Sequence, residues 1–395
     1  MKDIRFLNGI RGAVRLPSLD RPLINKGRRI GQNILSATGD YEEQVLKAIS
    51  SRQLPRIDIY PNAEYKTGIY KTSDAAPNLD PIFYKCENLL PTCKEYWFAI
   101  FTATDKKKNP MQLIASFGRR NTKKSVVDNV EIRGESPGDG TIRMGGFVWG
   151  YDDRKKLAVP TVETMTTLTD HSIVTSGNGL TIDISGAVPE YRVKVDSEAI
   201  KCDFRLKKPS RGYDVEVLNE TKMKLNYQVY NLYYDFDGTL NGREYSGRCY
   251  LQKVILSTPL VPWYWSRFVF KDGSYFVFFK PYFGSRDVNY SLRNKGAFYS
   301  ASEDRLFWVH NIDVKHDAKL KNWKITSKGD GYSLNVGVKT YASHGFNFRY
   351  GGAFNYNEHM VNVSKFDFRT EGRKISIHKL GGGAGIVEDA TGLLI

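Results

Sequence analysis

The stretch Tyr245–Phe283, YSGRCYLQKVILSTPLVPWYWSRFVFKDGSYFVFFKPYF, decides the fold class. Its second half is two β-rich runs joined by Asp272-Gly273, a pair that tolerates the positive φ angles of a type I′ turn. A two-residue loop there predicts Trp265 opposite Lys280, Arg267 opposite Phe278 and Val269 opposite Phe276 on one face. Ser266 with Phe279, Phe268 with Val277 and Phe270 with Tyr275 then share the other face. That second face is apolar. The first sets the cations Arg267 and Lys280 among rings, the mixture expected of a ligand-holding barrel interior. A plainer alternative has the Phe face filling a core and the Arg/Lys face meeting water, with the Lys280 stem covering Trp265.

Working outward, the chain from Lys94 reads as strand after strand. EYWFAIFTAT, MQLIASFGR, TIRMGGFVWGY, GLTIDISG and YRVKVDS precede the central stretch, and RLFWVHNIDV, YSLNVGVKTYA and HMVNVSKFDF follow it. Turns such as Asn178-Gly179 and Asp330-Gly331 separate them. Many short strands with regular turn spacing argue for closed or sandwiched antiparallel sheets. At 395 residues the chain exceeds the size at which one core stops growing, so two β-domains are expected. The seam is read at GSRDVNYSLRN, residues 284 to 294, giving a first domain over 56–284 and a second over 285–395.

Residues 1 to 55 read as a basic arm followed by one helix. The first 39 residues carry eight Lys/Arg against two Asp, a charge that would suit an anionic membrane surface. DYEEQVLKAISSRQL, from Asp40, has an N-cap, early acids and an apolar stripe at Val45, Leu46 and Ile49. The net charge of +15 is diffuse over the rest, and no nucleic-acid recognition signature accompanies it. Nucleic acid is therefore not the expected partner. No secretory leader or membrane-length apolar run is present, so a cytoplasmic protein, peripheral to the membrane at most, is expected.

The four cysteines lack paired ligand spacing, and no two histidines share strand or helix spacing, so no metal site is predicted. Cys86 and Cys93 are close enough for a small-loop disulfide, while Cys202 and Cys249 read as buried thiols. No nucleophile elbow, phosphate-cradling loop or dinucleotide fingerprint appears, so no cofactor is expected.

Several residues in order carry a resemblance: Glu95-Tyr96-Trp97-Phe98, Tyr233-Tyr234 before Asp237-Gly238-Thr239-Leu240, Tyr245 to Lys253, Trp263-Tyr264-Trp265 with the Asp272-Gly273 turn, Tyr356-Asn357-Glu358, and GAGIVEDATG from Gly383 to Gly392. Over residues 94 to 392 the layout resembles the carotenoid 1,2-hydratase/AttH-like superfamily, with tocopherol cyclases and some fungal pericyclases as relatives. The resemblance implies an all-β fold of two tandem lipocalin-like antiparallel barrels, and acid-initiated hydration, cyclisation or isomerisation of an isoprenoid or similar lipid.

Family hydratases carry an Asp and a His in the cluster that here reads Tyr250-Leu251-Gln252-Lys253. Gln252 cannot donate a useful proton, and Lys253 is a weak acid unless burial lowers its pKa. A proton donor would then come from Asp235, Glu358 or Glu388. Glu388 shares a face with Ile386 by alternation, and a carboxyl among aromatics holds its proton longer. Glu358 and Asp235 could equally be turn acids. His359 should point away from Glu358 across the strand. Trp97, Tyr234, Tyr250, Trp263, Trp265 and Tyr356 are the expected wall, with Gln252, Lys253, Arg267 and Lys280 orienting a polar end of the ligand. A non-catalytic carrier of the same hydrophobic ligands is the alternative.

Overall fold

The computed structural model describes residues 67–394 apart from 72–79, 87–88, 90–92, 105–109, 135–139, 223–224, 257–259, 285–288 and 292. The predicted N-terminal arm and the helix over 40–54 lie outside the described residues. What is described is almost entirely antiparallel β-structure, with one helical turn at Ile377–Leu380.

Ten strands close the first barrel. They run as a meander from Lys94–Thr104 and Pro110–Arg120 through Ile142–Asp152, Lys155–Thr169, Ser172–Gly177, Leu180–Ala187, Glu190–Asp196 and Lys201–Lys207 to Leu225–Leu240 and Arg243–Leu256. Closure comes from Arg243–Leu256, which pairs along its length with Lys94–Thr104. The long strand Leu225–Leu240 serves two neighbours on one edge. Its first half pairs with Val215–Lys222 and its second half with Lys201–Lys207. Two-residue turns drive the meander where sequence allows positive φ, as at Asn178-Gly179 (φ 48° and 78°) and Asn241-Gly242 (φ 48° and 79°). Trp97, Phe101, Phe204, Tyr234 and Phe236 pack inside this barrel.

The second sheet contains, in order, Arg305–His310, Lys295–Ser300, Tyr275–Gly284, Trp263–Phe270, Gly383–Leu394, Gly352–Thr370, Tyr332–Arg349, Asn322–Gly329 and Asp313–His316. It curls around its own core of Phe268, Phe276, Phe298, Phe366 and Phe368. Side chains bridge its ends: Ser327 donates to the His310 carbonyl, and the Tyr332 hydroxyl accepts from the His310 N–H at 2.7 Å. Both strands of the Asp-Gly hairpin belong here. Sheet membership therefore changes between Leu256 and Trp263, upstream of the seam read at 284–294. The turn-rich residues there do not end a sheet, because Asn289–Ser291 pairs back onto Tyr282–Gly284.

The hairpin register also departs from expectation. Trp265 faces Phe279, Arg267 faces Val277 and Val269 faces Tyr275. The loop is Lys271-Asp272-Gly273, in which only Gly273 takes positive φ, with Phe270 N–H bonded to the Ser274 carbonyl. One extra loop residue slips every pair by one, and a slip of one moves a side chain to the opposite face. Lys280 consequently leaves the Arg267 face and bonds the Ile312 carbonyl at 2.9 Å on the far side.

A third apolar layer lies between the two sheets. Ile100, Ile114, Phe147, Trp149, Tyr233 and Tyr250 project into it from the outside of the barrel, and Trp265, Val277, Phe346, Phe354, Tyr356 and Ile386 from the second sheet. A short hairpin of Lys124–Val127 and Val130–Arg133 leaves the first half of the chain, and its strand Lys124–Val127 pairs onto Tyr332–Arg349. All four cysteines are buried and none is in a disulfide, so the bridge that the spacing of Cys86 and Cys93 allowed is not formed.

Candidate active site

Three neighbouring strands of the second sheet build the site. On their face toward the first barrel Trp265, Glu388 and Glu358 form one row across Trp263–Phe270, Gly383–Leu394 and Gly352–Thr370. The next row is Trp263, Ala390 and Tyr356. Ala390 is small, which leaves room for the Tyr356 ring between its larger neighbours. Directly opposed residues in antiparallel strands sit about 5 Å apart at Cβ, so the two carboxyls are forced together.

Their hydrogen bonds are specific. The Tyr356 hydroxyl lies 2.6 Å from Glu358 Oε1 and 2.8 Å from Glu388 Oε1. Trp263 Nε1 donates to Glu388 Oε2 at 2.8 Å, and Trp149 Nε1, reaching across from the barrel, donates to Glu358 Oε2. An indole nitrogen can only donate, and a phenol has one hydrogen to give. Tyr356 can therefore donate to one carboxyl only. Its contact with the other needs a proton supplied by that acid. The geometry is satisfied when the pair holds a single proton, with one carboxylic acid donating to Tyr356 and Tyr356 donating to the remaining carboxylate.

Burial agrees with this count. Glu358 is fully buried, and loss of solvation followed by the nearby Glu388 charge pushes its carboxyl up to about 8. Glu388 keeps an edge on the cavity but is surrounded by protein, and burial pushes it up to about 7 against the lowering effect of Trp263 and Tyr356. Two acids this close titrate as a pair.

Glu388 and Tyr356 form part of the wall of a cavity of about 180 Å³ between the sheets. Phe98, Tyr250, Trp263, Trp265 and Phe354 give it aromatic walls, and Asn231, Gln252 and Glu216 supply polar groups. Gln252 Nε2 donates to Asn231 Oδ1 at 2.9 Å and to the Tyr250 hydroxyl at 2.6 Å, and Asn231 donates to Glu216 at 2.8 Å. Arg267 lies behind this network, 4.7 Å from the Tyr233 ring centre and 5.1 Å from that of Tyr250.

Of the expected site residues, Glu388, Glu358, Tyr356, Tyr250, Gln252, Trp263 and Trp265 come together at this chamber. The others do not. Trp97 and Tyr234 point into the barrel core. Lys253 sits on the same interior side, 3.0 Å from the Trp97 ring centre and paired with Glu95, which Arg119 also bonds at 2.7 Å. Burial lowers Lys253 to about 7, while Lys253 and Arg119 together hold Glu95 below its ordinary value despite burial. It is a buried structural ion pair. Asp235 is paired with Arg248 on the half-exposed barrel exterior. Lys280 is on the far side of the hairpin, and Arg267 supports the wall from behind. His359 turns away from Glu358 to meet Ser343 at 2.9 Å.

Trp149, Glu216 and Asn231 were not legible as site residues. A single Asn inside the apolar run VYNLYY was the available signal for the polar end. Among the described residues no cluster of His, Cys, Asp and Glu could hold a metal ion, and no helix is long and apolar enough to cross a membrane.

No protein-family model matches the chain, and no curated protein matches it by sequence. Solved structures similar to it include an AttH-like protein from Nitrosomonas europaea, at 12% identity over 75% of this chain and 92% of that one, with a TM-score of 0.49. CghA with Sch210972 is similar at 12% identity over 82% and 97%, TM-score 0.49. Kievitone hydratase from Nectria haematococca is similar at 12% identity over 83% and 98%, TM-score 0.45. None of these likenesses fixes a reaction or a ligand for this chain.

Proposed function

We propose that the chain is an acid–base enzyme that protonates an unsaturated hydrophobic ligand, of isoprenoid or similar lipid type, held between the sheets. The observation that carries the reading is the single Tyr356 hydroxyl placed between two buried carboxyls, which requires a shared proton beside an aromatic cavity.

In this reading Glu388 is the donor because it borders the cavity. Its O–H bond breaks as a C–H bond forms at one alkene carbon, leaving a carbocation on the neighbouring carbon and a carboxylate on Glu388. The faces of Trp263 and Trp265 stabilise that cation. Loss of a proton back to Glu388 gives isomerisation; capture by a second double bond gives cyclisation and capture by water gives hydration, each completed when the cyclised cation or the oxonium returns a proton to the Glu388 carboxylate. Glu358 loads the donor before the step: when the shared proton sits on Glu358, it passes to Tyr356 as Tyr356 passes its own to Glu388. A general acid near neutral pKa suits this work.

The carrier reading also has an observation in its favour: both Glu388 oxygens are already engaged, one by Trp263 and one by Tyr356. One experiment separates the two. Organic extracts of the purified protein are analysed by mass spectrometry, and the ligand found is returned to fresh enzyme in D2O. Deuterium incorporation by wild type, lost about a hundredfold or more in Glu388→Gln with binding kept, supports catalysis. A ligand returned unchanged and unlabelled supports the carrier and removes the enzyme.

A further inference from the structure

The cavity extends well away from the carboxyl pair. Along Pro110–Arg120, Ile114 faces Trp149, the residue that bonds Glu358. Ser116, Gly118 and Arg120 follow on the same face by alternation, and all three border the cavity. The strand from Ile114 to Arg120 spans about 20 Å. Gly118 lets the Tyr96 ring lie against this strand, because a Cβ there would fall 2.1 Å from it.

At the far end stands a charge without a counter-charge. Arg120 is only 7% exposed, and Nη1 bonds the Tyr350 carbonyl at 2.7 Å. Among the described residues its Nε is buried with nothing to donate to, and no carboxylate pairs with the guanidinium. Directly across the ladder, Lys94 is equally buried, and burial together with the Arg120 charge brings it down to about 7. The exposed Arg349 adds a cation at the same rim. A guanidinium stays charged in any protein environment, and buried charges are paired or costly. An apolar chamber with a proton site at one end and an unneutralised guanidinium at the other has the form of a receptor for a long molecule with an anionic end.

We propose that Arg120 binds the anionic head group, carboxylate or phosphate, of an elongated amphiphile whose apolar chain runs through the cavity toward Glu388. This rests on the cavity being the ligand chamber and is independent of whether Glu388 transfers a proton. The planar guanidinium suits either head, offering paired N–H donors to two oxygens.

The test uses the full chain with cis-parinaric acid and its methyl ester, which share one fluorescent apolar body and differ in head charge. Hexadecanoate and hexadecyl phosphate serve as competitors to identify the head. Wild type should bind the acid about tenfold to a hundredfold more tightly than the ester. Arg120→Met should remove that preference while leaving ester affinity unchanged, and Arg120→Lys should keep part of it. The ligand-free Arg120→Met protein should melt no lower than wild type, because an apolar residue replaces an uncompensated buried charge. Equal affinity for acid and ester in wild type, a preference that survives Arg120→Met, or a markedly lower melting temperature for that variant would each overturn the assignment of Arg120. Those results would leave the Glu388 reading standing. Failure of both acid and ester to bind would remove the chamber itself, and the proposed function with it.

Discussion

Replacing Glu358 by Gln should stabilise the protein at pH 8 and change it little at pH 4.5. The unfolded chain ionises this carboxyl near 4.5, whereas the folded protein keeps it protonated up to about 8. Between those values the native state holds more protons than the unfolded state, so wild-type stability from this group falls as pH rises. The slope is about 1.4 kcal/mol per pH unit, and across the window it amounts to about 5 kcal/mol. The amide of the Glu358→Gln variant does not titrate and has no such slope. It also imitates the protonated acid, with its carbonyl accepting from Trp149 and its NH2 donating to Tyr356, so the native network survives the change. The assay is urea denaturation of wild type and Glu358→Gln from pH 5 to 8.5, read as the difference between the two. Taking the difference cancels the opposing titrations of Lys94 and Lys253, which are present in both proteins. The difference should rise with pH in favour of the variant. A flat difference, or one that falls, would refute the raised carboxyl and the reasoning built on it.

Further substitutions probe other parts of the site. Tyr356→Phe removes a hydrogen bond that lowers both carboxyls, so the alkaline limb of turnover should move to higher pH and stability should fall by about 1–3 kcal/mol. Lys253→Met breaks the buried pair with Glu95 and should cost about 3–5 kcal/mol in chemical denaturation, yet leave ligand affinity unchanged because it faces the barrel core. Lys280→Met should leave ligand affinity unchanged too, whereas Trp263→Phe, which keeps a ring but loses the N–H bonded to Glu388, should raise the Glu388 titration seen by NMR of labelled glutamate.

The all-β class and the hairpin at Asp272-Gly273 were legible because turn residues and apolar alternation are local signals. The loop length was not. Asp-Gly fits a two-residue turn, but Lys271 joins it, and that one residue put Lys280 on the wrong face. Trp97, Tyr234 and Lys253 were misplaced for a different reason. The strand Arg243–Leu256 has the barrel core on one side and the inter-sheet layer on the other, so Cys249 and Leu251 face the core while Tyr250 faces the second sheet. When both faces are apolar, alternation no longer says which side is which. Glu358 and Glu388 stood out because acids are rare among such neighbours. Their pairing depends on two strands well separated in sequence coming into register, and Trp149 on contact between two sheets. Neither relation has a local signature.

The central claim is that the Glu358–Tyr356–Glu388 trio holds one carboxyl proton near neutral pH. Infrared spectroscopy of protein carrying isotope-labelled glutamate at about pH 7.5, between the two raised carboxyl values, with wild type compared against Glu358→Gln/Glu388→Gln, tests it most directly. A carboxylic-acid carbonyl band that shifts with the label and is missing from the double variant is the predicted result. A wild-type spectrum with only ionised glutamate, or an acid band that persists in the double variant, would contradict the account.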